Sequence, residues 1–330
     1  MYHWRLARPC SRPILQVRLG DSHRYTPAHA MNPRVHLVLC THTTRHLEPT
    51  LRAVGRQSVA PASVVLTCDT DEPAINELIE RVWPSIGARH GLTLWHVSRP
   101  HTGEARLNQV RNNGLRALES RAMVVDRDLI VMLDADTLLA ADAVARYDAL
   151  ARDGAELVIP YRVNLDQEQT EAVASVENAD VAGVATPRQM AALVEREARY
   201  RRQRTLRRLG LHRLGLVKSH KPKILGGHHA VAVAALRAIN GYDEQYVGYG
   251  YDDDDLTRRL YGHCSRIDTR IAVNDILALH LWHPSRAPSR PMDAPGHARF
   301  ARRDLPVVCE HGWRNPREQG PVTVTRFDAE

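Results

Sequence analysis

No stretch of the 330 residues approaches the ~18–20 consecutive apolar residues of a membrane span, so an integral membrane protein is not expected. The first residues carry arginine but no apolar run of ~7–15 residues, so no secretory leader is expected either. Cysteine is sparse: five residues, at 10, 40, 68, 264 and 309, odd in number, widely spaced and without a CxxC pair. That pattern argues against a disulfide framework or a structural zinc site and favours a reducing, cytoplasmic setting. No GxGxxG follows the first apolar run and no GxxxxGK[ST] occurs, which weakens dinucleotide-binding and P-loop readings. Lysine stands only at 218, 221 and 223, so 42 of the 45 basic residues are arginine. This bias reads as codon composition rather than a surface for nucleic acid. No internal repeat is present.

What is present is ordinary for a globular protein: 43% hydrophobic and 25% charged residues, in a chain long enough for one large domain or two modest ones. The formal charge of +7 is unevenly spread. Residues 1–30 hold five arginines against Asp21, a net of +4. Residues 195–223 hold eight arginines and three lysines against Glu195 and Glu197, a net of +9. The remainder is therefore acidic, at −6. Residues 1–30 lack periodicity and are punctuated by Pro9, Pro13 and Pro27, so a disordered tail or an overlong start is expected there.

From Met31 the pattern is regular. Apolar runs Val35–Cys40, Ser63–Thr67, Leu92–Val97, Leu129–Leu133 and Glu156–Pro160 read as strands. Helical stretches Leu47–Gln57, Glu72–Ile86, Glu104–Glu119 and Ala140–Ala151 lie between them. This alternation predicts an α/β protein with a mostly parallel sheet flanked by helices. Residues 166–208 read as mostly helical, Leu209–Lys223 as a loop, Asp252–Tyr261 as a helix, and Arg266–Val273 and Ile276–Leu281 as extended. Beyond His283 there are seven prolines and little periodicity. The expected organisation is a ligand-binding half at 31–163, a helical Arg-rich insertion at 164–223, a second half at 224–284 and a C-terminal extension at 285–330.

Ligands of parallel sheets sit beyond the carboxyl ends of the strands, which directs attention to Thr41–Thr43, Cys68–Asp71 and Asp134-Ala135-Asp136. Two carboxylates one residue apart at a strand end can present hard oxygen ligands to Mg²⁺ or Mn²⁺. Gly248-Tyr249-Gly250-Tyr251 precedes four acids, Asp252–Asp255, at a helix start. One or two acids there are ordinary capping, but four exceed that need, and helical spacing spreads them, so at least one is expected to point into a site. In Leu279-His280-Leu281-Trp282-His283-Pro284, strand alternation places His283 opposite His280. Either histidine suits a metal or phosphate site, and spacing does not choose between them.

Together these segments resemble the inverting GT-A nucleotide-sugar glycosyltransferases, the large class called family two. VHLVLCTHTTRHLEPTLRAVGRQSVAPASVVLTCDTD is similar to that family's opening, GEARLNQVRNNGLRAL to its Arg-Asn-x-Gly helix, LIVMLDADTLL to its DxD strand and HLWHP to its closing His motif. ILGGHHAVAVAALRAINGYDEQYVGYGYDDDDLTRRL resembles its acceptor-side block, shared with the galactosyltransferases. The resemblance spans roughly residues 34–284 and implies these roles. Thr41 and Asp69 line the nucleoside pocket, and Arg111 lies on the donor side. Asp134 contacts ribose or metal, and Asp136 is the direct metal ligand. Asp253 is the catalytic base, while Asp252, Asp254 and Gly227 belong to the acceptor side. His280 or His283 completes the metal site. The family often has Glu where Asp252 stands. The implied cofactor is Mn²⁺ or Mg²⁺, with UDP the commonest nucleotide of the family. The implied acceptor is a glycan or a lipid-linked molecule.

Competing readings rest on fewer residues. HAD-type phosphohydrolases read DxDx[TV], but Leu138 stands in the last position and the motif lies in the fourth strand rather than the first. A nucleotidyltransferase would carry a Gly-rich basic loop after the first strand, where Thr41–Arg45 has no glycine. Arg196–Arg213 has only Tyr200 as an interleaved aromatic and matches no nucleic-acid motif, so a basic helix near an acceptor or an anionic membrane surface is the better functional reading of that segment.

Overall fold

The computed structural model describes residues 32–174, 188–284, 288–317 and 320–330. The tail expected at 1–30 lies outside the described residues.

Strands β1 (Val35–Thr41), β2 (Ser63–Cys68), β3 (Leu94–Ser98) and β4 (Leu129–Asp134) alternate with helices α1 (Leu47–Gly55), α2 (Pro73–Ala88) and α3 (Leu107–Arg121). These strands pair in parallel in the order β3-β2-β1-β4. Leu37, Val38 and Leu39 are all fully buried, as a continuous apolar run must be when both sheet faces are covered. Gly114 allows α3 to close on the sheet, because a Cβ there would stand 2.7 Å from the Val38 side chain.

The chain continues through β5 (Thr137–Leu139), α4 (Ala143–Arg152), β6 (Leu157–Ile159), β7 (Val163–Asn164), α5 (Gln167–Ala174) and α6 (Arg188–Arg213). The loop expected from Leu209 begins only after Arg213, because Leu209 is buried on the packed side of α6 and keeps the helix going. There follow β8 (His228–Ala232), α7 (Val233–Ala238), α8 (Asp252–His263), β9 (Thr269–Ile271), β10 (Ala278–His280), α9 (His297–Ala301) and β11 (Thr323–Phe327). The fold is α/β, with an eight-stranded, mostly parallel sheet in the order β11-β3-β2-β1-β4-β8-β6-β9 and a small sheet β5-β10-β7.

Two antiparallel pairings position the site. β8 aligns His228 with Leu133 of β4, so Gly227 lies beside Asp134, whose N–H donates to the Gly227 carbonyl at 3.0 Å. β10 aligns His280 with Thr137 of β5, which delivers that histidine next to Asp136. The aperiodic C-terminal stretch is built into the fold: β11 pairs antiparallel with β3, and Cys309 and Trp313 are buried. Cys40, Cys68 and Cys309 are free and buried, whereas Cys264 is disulfide-bonded. No helix among the described residues is long and apolar enough to cross a membrane.

Candidate active site

The chain enters α8 through a loop in which Gly248, Gly250 and Tyr251 take positive φ, with Gly250 at 102°, a value that suits glycine alone. The four acids then fan out around the first turn. Asp252 accepts a hydrogen bond from Arg111 Nη1 at 2.6 Å. Asp254 accepts from Lys221 Nζ at 3.0 Å and Lys223 Nζ at 2.7 Å. Asp255 accepts from Arg258 at 2.6 Å and from buried Arg259 at 2.7 Å. Three acids are thus matched by cations.

Asp253 is different. Its Oδ1 is buried without a hydrogen-bond partner, and Arg111 Nη1 stands 3.8 Å away. Burial first, and then the charge of Asp252, push its carboxyl up to about 7. The carboxylate lies directly over Gly226, where an added Cβ would come within 2.5 Å of Oδ2. The neighbouring Gly227 is equally confined, since a methyl there would collide with Asp134 and Arg162. The glycine pair is therefore a floor on which two carboxylates rest.

Asp134 closes β4 and lies 3.9 Å from Arg162 Nη1. Two residues on, Asp136 Oδ2 is 3.6 Å from His280 Nε2 and 3.2 Å from His283 Nε2. One ligand atom from each of Asp136, His280 and His283 falls within 4.8 Å of the others. Burial would raise the Asp136 pKa, but the two histidines beside it more than offset this and hold the carboxyl well below the usual range. The same contact raises His283. Strand alternation predicts these histidines on opposite sides, and the structure corrects this. β10 ends at His280, the chain bends, and the two rings come to 5.2 Å. The bend is pinned on both sides: Leu281 N–H donates to the Asp136 carbonyl at 2.8 Å, and His46 Nε2 contacts the Trp282 carbonyl at 2.9 Å.

At the neighbouring strand ends, Asp69 N–H donates to the Thr41 carbonyl at 3.3 Å. The Thr41 hydroxyl donates to the Thr43 carbonyl at 2.7 Å. Asp69 is itself tied to buried Arg99 and accepts from the Arg106 N–H at 3.2 Å. Because β1 pairs Cys40 with Asp134, Thr41, Asp69 and the Asp134–Asp136 turn share one end of the sheet.

Arg111 and Gly227 have well-defined surroundings. Arg111, placed on the donor side by resemblance, is 1% exposed and committed to Asp252 and, through Nη2, to the Gly226 carbonyl at 3.1 Å. Burial would weaken its charge, but Asp252 and then Asp253 hold its pKa above the ordinary value. It braces the acidic turn from behind rather than offering a free cation. Gly227, placed on the acceptor side by resemblance, lies against Asp134 and Arg162, and Gly226 faces Asp253. Arg162 and the two lysines on Asp254 were not singled out by sequence. The lysines carried a usable signal: two of the three in the whole chain clamp one aspartate of the acidic turn.

Among solved structures, a mannosyltransferase from Pyrobaculum calidifontis, in complex with GDP-Man and Mn²⁺, is similar at 17% identity and a TM-score of 0.46, covering 78% of this chain and 59% of that one. GalNAc-T7 with UDP, GalNAc and Mn²⁺ is similar at 15% identity and 0.47, covering 79% and 46%. TarS 1-349 of S. aureus with UDP-GlcNAc is similar at 11% identity and 0.46, covering 79% and 63%. The chain thus spans about half to three-fifths of the length of these solved chains. No curated protein matches the sequence. Residues 214–276, which contain Gly226, Gly227 and the whole acidic turn, match the family described as the N-terminal domain of galactosyltransferase.

Proposed function

We propose that this protein is a metal-dependent GT-A glycosyltransferase that moves a sugar from a nucleotide-sugar, UDP-linked, to an acceptor hydroxyl with inversion at the anomeric carbon. The observation that carries the reading is one untethered carboxylate, Asp253, on the same floor of glycines as Asp134, with the Asp136–His280–His283 cluster alongside. The galactosyltransferase-family match over residues 214–276 supports the sugar-transfer class.

The mixed oxygen and nitrogen donors of Asp136, His280 and His283 fit a divalent cation such as Mn²⁺ or Mg²⁺. When bound, such an ion neutralises charge that grows on a leaving diphosphate. Thr41 and Asp69 line the nucleoside end, and Asp134 faces the sugar and ribose. Asp253 accepts the proton of the acceptor hydroxyl as that oxygen attacks the anomeric carbon from the face opposite the nucleotide. Its raised pKa suits this work, because a general base is most effective when its pKa lies near the operating pH. Arg111 fixes Asp252 and thereby the first turn of α8, while the Lys221 and Lys223 clamp fixes Asp254. Asp252 and Asp254 then border the acceptor, a glycan or a lipid-linked molecule. A single displacement needs no enzyme nucleophile.

The test is a panel of nucleotide-sugars incubated with Mn²⁺ and with chelator, reading nucleotide release, followed by assignment of the product's anomeric configuration by NMR. Release that depends on metal, with an inverted product, is expected. Release of inorganic phosphate instead, or a retained configuration, would refute the reading.

A further inference from the structure

Helix α6 spans 26 residues and takes no part in the site described above. Its inner side is attached to the body: Ala198 and Leu209 are buried, the Arg201 guanidinium lies 5.1 Å over the Tyr161 ring, and His212 packs 4.1 Å from Tyr261. Helical spacing of about 100° per residue places Arg196, Tyr200, Arg204 and Arg207 on the side opposite Ala198 and Leu209, and all four are exposed. Among the described residues, Arg199 and Arg201 pair with Glu195 and Glu197, whereas Arg196, Arg204 and Arg207 have no carboxylate partner. Large apolar groups accompany this charge. Tyr200 is 63% exposed, and Leu214 and Leu216, in the turn that ends the helix, are 71% and 68% exposed.

Unpaired arginines repel one another, and exposed leucines are unfavourable in water. A surface that supplies both anionic groups and an apolar layer relieves both. A folded protein partner with an acidic patch would satisfy the arginines alone, and nucleic acid offers the leucines nothing. We infer that the outer face of α6, with Leu214 and Leu216, docks on an anionic lipid bilayer. The arginines meet headgroup phosphates while the tyrosine and leucines enter the headgroup–acyl boundary. The same segment leads directly into Lys221 and Lys223 on Asp254, so docking there sets the acidic turn close to the bilayer.

Co-sedimentation of the full chain with phosphatidylcholine vesicles, with and without phosphatidylglycerol, tests this. Binding is expected only to the anionic vesicles and should fall steeply with salt, since exposed charges are screened beyond ~8 Å at physiological ionic strength. Each basic residue near such a surface is worth about fivefold in affinity, so Arg196→Gln, Arg204→Gln and Arg207→Gln together should weaken binding about a hundredfold. Leu214→Ser with Leu216→Ser should weaken it at any salt. Both variants should keep the wild-type Tm. Equal binding to neutral vesicles, binding to neither, wild-type binding by the triple variant, or tighter binding to duplex DNA or RNA than to anionic vesicles would overturn the inference.

Discussion

Asp253 Oδ1 stands 3.8 Å from Arg111 Nη1 and receives no hydrogen bond, because that nitrogen is committed to Asp252 at 2.6 Å. The guanidinium is near enough to steady a negative charge on Asp253 without hydrogen-bonding to it. Of four adjacent aspartates, this one is proposed as the base for proton transfer.

Asp253→Asn keeps the shape and removes the proposed base. Transfer is expected to fall by ~10²–10⁴-fold, while Mn²⁺-dependent nucleotide binding, measured by calorimetry, stays near wild type. Asp255→Asn acts differently, since it strips the counter-charge from Arg259, which is 3% exposed. Its cost is stability, on the order of 3 kcal/mol, read from denaturant unfolding.

The raised pKa of Asp253 has a definite sign in both activity and stability. Its folded value of about 7 exceeds the ordinary 3.8, so between those values the folded state holds more proton than the unfolded one. The contribution of this group to stability therefore declines as pH rises from about 4 to about 7. Transfer should rise as pH passes through the folded value, with an apparent midpoint near 7. Asp253→Asn should abolish that limb and raise Tm by a few degrees at pH 8, with little change at pH 4. A Tm difference of the opposite sign would show that burial does not penalise this carboxylate.

Both histidines approach Asp136, so on the proposed reading both contribute to the metal site. His280→Ala and His283→Ala are each expected to weaken Mn²⁺-dependent nucleotide binding at least tenfold, by the scale of losses for groups around metal ligands. Asp136→Ala should remove the metal dependence altogether. If His283→Ala binds metal and nucleotide as wild type does, the cluster reduces to Asp136 and His280.

The glycine pair should separate the two halves of the site. A methyl at Gly226 meets the Asp253 carboxylate, whereas one at Gly227 meets Asp134 and Arg162. Gly226→Ala should therefore depress transfer and spare nucleotide binding, and Gly227→Ala should depress nucleotide binding itself. Steady-state kinetics alongside calorimetry distinguishes them. Indistinguishable profiles would show that the two glycines serve one carboxylate.

Much of the molecule is set by local pattern. Apolar runs of strand length, separated by helical periodicity, were enough to specify the parallel core, because burial on both faces demands continuous hydrophobicity within each strand. The acids that end LIVML and the crowded start of α8 were visible for the same local reason: carboxylates clustered beyond what a strand end or a cap requires. Partners were not visible. Arg111 reaches Asp252 across 141 positions of chain, and Lys221 and Lys223 reach Asp254 across 33 and 31. Helical spacing tells in which directions four acids point, but only packing decides which of them meets a cation. Nor does spacing reveal that β10 stops at His280 and bends, which turns two apparently opposed histidines toward one carboxylate. Strand β11, five residues at a sheet edge with only Phe327 buried, carries too weak an alternation to be read locally. It is a strand because β3 offers it an edge to pair with. The sequence alone determined the layered core and the chemistry available at its carboxyl edge; tertiary structure decided which acids of the turn are hydrogen-bonded to cations and which one, Asp253, is left with an unbonded Oδ1, because that pairing depends on distances between residues far apart in the chain.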